Sequence, residues 1–270
     1  MGLSSAVPIG QYLPRPSPLH RLDPRTKILA ATWLVVLLFV VPSFSGQGLF
    51  ALGLLALLVA GQIPLGYALR GLRPIVILVG LTVVLNLFFA GGGPDGGREL
   101  FRLGPLVATA TGLRTGLFLG VRLVLLVAVT SLLTLTTSPI EFTDGLERLL
   151  RPLRRLGVPA HELAMMMTIA LRFVPTLLDE TEKIMKAQMA RGADFGRGHV
   201  LHRARAFVPV LVPLLVSAFR RSEDLALAME ARCYQGGEGR TRMNELRWRA
   251  ADAAAAIVVA AASLALLRVR

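Results

Sequence analysis

Apolar residues run along this chain in long blocks rather than in alternation. The blocks lie at about 28–44, 49–65, 75–90, 112–136 and 250–267, and each is almost free of charge. A helix needs roughly 17–25 such residues to cross a bilayer, so the pattern predicts about five transmembrane helices. Between them, Gly46 and Gly48 punctuate the first two blocks. A short basic turn with Arg70 and Arg73 precedes Pro74, which opens the third. The glycine-rich stretch 91–97 cannot be helical and reads as an exposed loop. Residues 1–27 read as an irregular arm without a signal peptide, ending at Asp23-Pro24, a helix-start pair.

Residues 138–249 break the pattern. They hold 18 of the 30 Lys+Arg and 13 of the 17 Asp+Glu. Ser138-Pro139-Ile140-Glu141 is a capping-box sequence and predicts a helix to about residue 150. Pro152 and Gly157-Val158-Pro159 end it. A second helix is expected over 160–191, with Leu163, Met167, Ala170, Val174, Leu177 and Ile184 on one stripe at helical spacing and a kink at Pro175. A third is expected over 204–233, with Pro209 and Pro213 in its first half. Its purely apolar part is too short for a span, so these helices should begin against the membrane core and end in water. The chain therefore divides into 1–137 (arm and four spans), 138–249 (long amphipathic helices) and 250–270 (a last span).

Composition agrees with a membrane protein: 54% of the 270 residues are hydrophobic, and mean hydropathy is +0.61. The formal charge of +13 is not a nucleic-acid signature, because no face interleaves aromatic and basic residues. It sets orientation instead. The positive-inside rule puts the arm, the Arg70/Arg73 turn and residues 138–249 in the cytoplasm, with loop 91–97 and the C-terminus outside. The single cysteine excludes an internal disulfide.

Two helix ends share one unusual word. Residues 187–196 end in Ala190-Arg191-Gly192 and residues 228–237 in Ala231-Arg232-Cys233. At an offset of 41, Ala187/Ala228, Ala190/Ala231, Arg191/Arg232, Gly196/Gly237 and Gly198/Gly239 coincide. An arginine near a helix C-terminus followed by glycine is also an ordinary stop. The repetition favours docking: small residues let a helix end enter a groove while the guanidinium forks onto a carboxylate. Two matching ends suit two matching soluble subunits.

Other features carry less. Met165, Met166, Met167, Met185, Met189 and Met229 fill a core or form a re-packable surface. Arg114 and Arg122 lie within a predicted span and are either anchors or functional charges. The four histidines have no metal-site spacing, no catalytic motif is present, and no cofactor is implied.

The chain resembles the transmembrane T component of energy-coupling factor transporters, the family that includes the cobalt-transport T proteins. The resemblance rests on Ser17-Pro18-Leu19-His20-Arg21-Leu22-Asp23-Pro24-Arg25-Thr26-Lys27 and Leu135-Thr136-Thr137-Ser138-Pro139. It rests also on Leu171-Arg172-Phe173-Val174-Pro175, on 190–195, and on Leu225-Ala226-Leu227-Ala228-Met229-Glu230-Ala231-Arg232. It implies an all-α, multi-pass protein of the cell (inner) membrane without catalytic residues. Its long cytoplasmic helices would couple two ATP-binding-cassette ATPases to a membrane substrate-binding subunit for a vitamin or metal ion. The docking residues it implies are Ala190, Arg191, Gly192, Ala231, Arg232 and Cys233. Cys233 stands where the family commonly has glycine. Since cysteine disfavours a left-handed turn, the third helix is expected to run on towards Gly236 and Gly237. Two other readings are a membrane enzyme built on Asp179, Glu180 and Glu182, and a self-sufficient transporter using Asn86, Arg114 and Arg122.

Overall fold

A computed structural model describes residues 12–89, 99–103, 106–193, 195, 200–236 and 248–268. The predicted loop 91–97 and the glycines at 196, 198, 237 and 239 lie outside them. The helices are α1 (Pro24–Val40), α2 (Phe44–Ala60), α3 (Leu65–Phe89), α4 (Ala110–Thr136), α5 (Pro139–Leu150), α6 (Ala160–Ala190), α7 (Val200–Ala231) and α8 (Ala250–Arg268). A 3-10 helix covers Arg151–Leu156, and two short strands, β1 (Glu99–Leu103) and β2 (Leu106–Thr109), precede α4. The described chain is all-α apart from this hairpin. Its described residues form two compact units, one within 12–145 with 248–268, the other within 146–236.

Local chemistry sets the boundaries of the first unit. Asp23 caps α1 by accepting from the Arg25 amide at 2.9 Å, with Pro24 in the first turn. Pro42 stops α1, because the residue before a proline is driven out of the α region, and Val41 is extended. Ser43 then caps α2 through the Gly46 amide at 3.2 Å. The glycines expected to separate the first two spans thus lie inside α2. A Cβ on Gly46 would collide with Val41, which places the chain reversal at Pro42 instead.

α3 corrects a second expectation. The turn anticipated at Arg70 and Arg73 is helical, and α3 runs through Pro74. Proline's fixed φ is compatible with a helix; it withholds one N–H from the Arg70 carbonyl and does not force an end. The reversal comes earlier, at Gln62, whose φ is 52°. The β hairpin was not anticipated. It pairs Phe101 with Ala108 and Leu103 with Leu106, and its strands are too short to show a period.

α4 packs against α3 along Gly112, Gly116 and Gly120, one per turn. Cβ atoms there would stand 2.5 Å from the Asn86 carbonyl, 3.0 Å from Val83 Cα and 3.2 Å from Val79 Cγ1. Bare backbone lets the two helices close on each other, since lipid offers no hydrophobic drive to join them. The core of this unit comes from α1, α2, α4 and α8: Leu37, Leu38, Phe50, Leu54, Leu58, Leu125, Val129, Leu132, Leu135 and Leu266. Its outer faces are also apolar, with Leu52, Ile77, Phe89 and Ile257 well exposed. A helix greasy all round is one whose solvent is lipid.

By length and composition α4, α6 and α8 could cross a membrane, and α2 and the Pro74–Phe89 part of α3 are shorter apolar helices. α6 in that group is a departure, because its segment reads as too charged for a span. Its charges gather at the C-terminal end, which leaves the first half apolar.

A buried polar knot ties the ends of the first unit together. Lys27 Nζ donates to the His20 carbonyl at 3.0 Å and to the Thr136 carbonyl at 2.9 Å, capping α4 with a cation. Asp252, almost fully buried, accepts from the Asp23 amide at 2.7 Å and the Arg249 amide at 2.9 Å, so one carboxylate serves the starts of α1 and α8. The arm joins in: the Leu13 amide bonds the Leu135 carbonyl, and Arg15 reaches the Gln62 carbonyl. His20 shares a 2.6 Å hydrogen bond with Ser17. Burial holds its pKa below the ordinary histidine value.

Arg122, an open question from sequence, is structural. It donates to the Val41 carbonyl at 3.0 Å, capping α1, and lies over the rings of Phe118 and Phe39 at 4.7 and 5.5 Å. Arg114 is exposed in the first turns of α4.

Candidate functional site

α5 starts as expected, with Ser138 and Glu141 bonding each other's amides at 3.2 and 3.4 Å. Beyond the 3-10 turn, Gly157 takes a φ of 85° and α6 begins after Pro159. His161 Nδ1 lies 3.0 Å from Glu147, which ties the start of α6 to α5.

α6 and α7 form an antiparallel hairpin. Arg221 on α7 pairs with Glu180 on α6 at 3.1 Å, Gln188 donates to the Pro209 carbonyl at 3.4 Å, and the Phe195 and Phe207 rings lie 5.3 Å apart. Contacts therefore advance along α6 as they retreat along α7. The Pro209 carbonyl is free to accept because the residue four further on is Pro213, which has no N–H. Glu182 pairs with Lys186 at 2.7 Å. Two of the three carboxylates considered for an active site are thus held by cations.

The two helix ends close in the same way. At the first, the Ala193 amide bonds the Gln188 carbonyl at 3.0 Å and the Gly192 amide bonds Met189 at 3.0 Å. At the second, the Tyr234 amide bonds Met229 at 3.0 Å and the Cys233 amide bonds Glu230 at 2.9 Å. Both are Schellman closures, and the two bonds named at the first end each have their counterpart 41 residues on. Arg191 and Arg232 are the cap residues.

Cys233 corrects the sequence reading. It adopts a φ of 57° itself, where Gly192 has 90°, so α7 stops at Ala231 and does not extend towards Gly236. The two hydrogen bonds of the closure outweigh the roughly 1–2 kcal/mol that a Cβ costs in the left-handed region.

Ala190, Arg191, Gly192, Ala231, Arg232 and Cys233 are all exposed. Neither guanidinium has a partner among the described residues. The same closure also ends α2 at Gln62, through Ile63 to Leu58 at 3.1 Å and Gln62 to Val59 at 2.9 Å. The turn is thus a general stop, and what sets the two later ends apart is an exposed arginine in the cap position. Nearby Met166, Met167 and Met189 are exposed, which makes them surface rather than core. The predicted stripe is likewise open at Leu163, Met167 and Val174. Among the described residues no group of His, Cys, Asp and Glu could hold a metal ion.

Sequence reasoning missed the Glu180–Arg221 and Gln188–Pro209 ties. The first had a signal: its members stand 41 apart, the offset of the repeat itself.

Residues 15–243 match the family model described as CbiQ, cobalt transport protein. The chain is 59% identical over 251 residues to the energy-coupling factor transporter transmembrane protein EcfT of Thermosediminibacter oceani, covering 93% of each chain. It is 54% identical to the EcfT of Clostridium kluyveri, covering 89% of this chain and 88% of that one. It is 48% identical to the EcfT of Bacillus subtilis, covering 96% and 97%.

Proposed function

The chain belongs to the CbiQ family of cobalt transport proteins, whose relatives here are energy-coupling factor transmembrane proteins, and from that premise we propose how it couples. It is a membrane component of transport and carries no active site of its own. Arg191 and Arg232 each dock into one of two ATP-binding-cassette ATPases, which hydrolyse the ATP. Ala190, Gly192, Ala231 and Cys233 permit close approach. The hairpin α6/α7 carries the motion to a membrane subunit that captures a vitamin or metal ion. Residues 138–249 lie in the cytoplasm, where the ATPases are.

One observation carries the reading: two helix ends, 41 residues apart, share the same two-bond closure and present an exposed arginine at the same position.

The Arg191→Ala/Arg232→Ala double variant should insert and fold yet fail to retain ATPases in a mild-detergent extract. Removing one partner of a desolvated charged pair costs about 2–5 kcal/mol, some 30- to 5,000-fold in affinity. Full ATPase-coupled uptake by the double variant would refute the assignment.

A further inference from the structure

The repeat has one self-equivalent point. In an antiparallel pair whose halves correspond at an offset of 41, only one pair of equivalent residues can face each other across the hairpin. Glu180 and Arg221 are 41 apart and in contact at 3.1 Å. From Glu180 to Arg191 is eleven residues, and from Arg221 to Arg232 is eleven. At 1.5 Å per residue each arginine cap stands about 16 Å along its own helix from the ion pair, in opposite directions.

The chemistry at that point is the reverse of the repeat. Towards the two helix ends several matching positions carry the same residue, alanine at 187/228 and 190/231 and arginine at 191/232, whereas Glu180/Arg221, like Lys183/Asp224, is opposite in charge. Where equivalent positions touch, identity would put like charges together. Here an acid faces a base. A single polar contact in an apolar seam is the usual device for choosing one register. Gln188 adds a second tie of the same kind, on a carbonyl that only Pro213 makes available.

We propose that Glu180 and Arg221 are positioning residues, whose ion pair fixes the register of α6 against α7 and so gives the two arginine caps equal reach from the centre of the hairpin. The equal reach matters because two like ATPases present like grooves. A slip of one turn would advance one cap and withdraw the other by about 5 Å. This half of the inference rests on the docking role of Arg191 and Arg232; the register itself does not.

The test uses the full-length protein in nanodiscs, with spin labels at Met189→Cys and Glu230→Cys in a Cys233→Gly background. Pulsed EPR reads the distance between the two ends without ATPases. Glu180→Arg and Arg221→Glu each place like charges at the centre. Each should shift or broaden the distance distribution by about one turn, ~5 Å. The Glu180→Arg/Arg221→Glu swap should return the parent distribution, which also shows that the chain still folds. In parallel, unlabelled versions are assayed for ATPase capture, where each single reversal should lose about tenfold and the swap should recover. Parent-like distances in both single reversals would overturn the register role, as would a folded swap that fails to restore them. Distances that move while capture stays at the parent level would overturn the link to docking. Arg191→Ala/Arg232→Ala should leave the distance unchanged. If that variant still captured ATPases, the docking reading would fail, with the register result unaffected.

Discussion

Arg191 and Arg232 end their helices, and the residue after each must take positive φ. Gly192 does so freely, whereas Cys233 does so at φ 57° with a Cβ in place. Cys233→Gly should therefore tighten the second closure by about 1 kcal/mol. Its effect on ATPase affinity should be small, because the turn it supports already exists. Gly192→Val should loosen the first closure by about 1–3 kcal/mol. No heavy atom stands within 4 Å of a Cβ built at Gly192, so that cost is one of backbone conformation and not of crowding within the chain. Hydrogen exchange at the Ala193 and Tyr234 amides, which make the long bonds of each closure, reads both effects. Slower exchange at Tyr234 in Cys233→Gly and faster exchange at Ala193 in Gly192→Val are the expected results.

Among elements, the tightest junction is α3 on α4. Its three glycines face different obstacles: carbonyl oxygens at Gly112, backbone of Val83 at Gly116, and the Val79 side chain at Gly120. A side chain can rotate away; a helix backbone cannot without moving the helix. The alanine series should therefore destabilise in the order Gly112, Gly116, Gly120. The first two should cost about 1–3 kcal/mol, the range for overpacking a close-packed core, and Gly120→Ala should cost less. Unfolding in graded detergent mixtures, followed by helicity, gives the order. The hairpin α6/α7 is built differently, from one ion pair and one amide on a proline-freed carbonyl, with much of its apolar surface left open. A tight junction suits a fixed frame, and a lightly tied one suits a lever that must move.

At the scale of the membrane unit, the arm and the starts of α1 and α8 meet in one polar knot. His20 lies in it, neutral, with burial as the main cause of its lowered pKa and Lys27 adding to it; the backbone carbonyls and Glu141 oppose. A histidine with a folded pKa below its unfolded value binds fewer protons folded than unfolded. Stability is then full above about 6.5, the ordinary histidine value, and falls as pH drops towards the folded value. The thermal midpoint should decline over that acid window, and His20→Gln should flatten the decline. A slope unchanged in His20→Gln would assign it to other groups.

The sequence alone determined several helix boundaries of this protein and the repeated Ala-Arg word of its candidate site. Asp23-Pro24, Ser138 with Glu141, Pro159 and the doubled Ala-Arg word act within a turn or two of themselves, so local chemistry could be read directly. The expected ends of α4, α5, α6 and α8 agree with the structure within a few residues for the same reason. Tertiary structure decided what depends on distant partners. Gly46 proved to be helix interior because Val41 folds over it, and Pro74 was absorbed into α3 because nothing at that point required a reversal. Arg122 became a cap only when α4 brought it to the Val41 carbonyl. Cys233 took a glycine's conformation because two hydrogen bonds to the preceding turn hold it there. Propensity weighs one residue against its neighbours in sequence, and a kilocalorie of such preference yields to a bond or a packing contact from elsewhere in the fold.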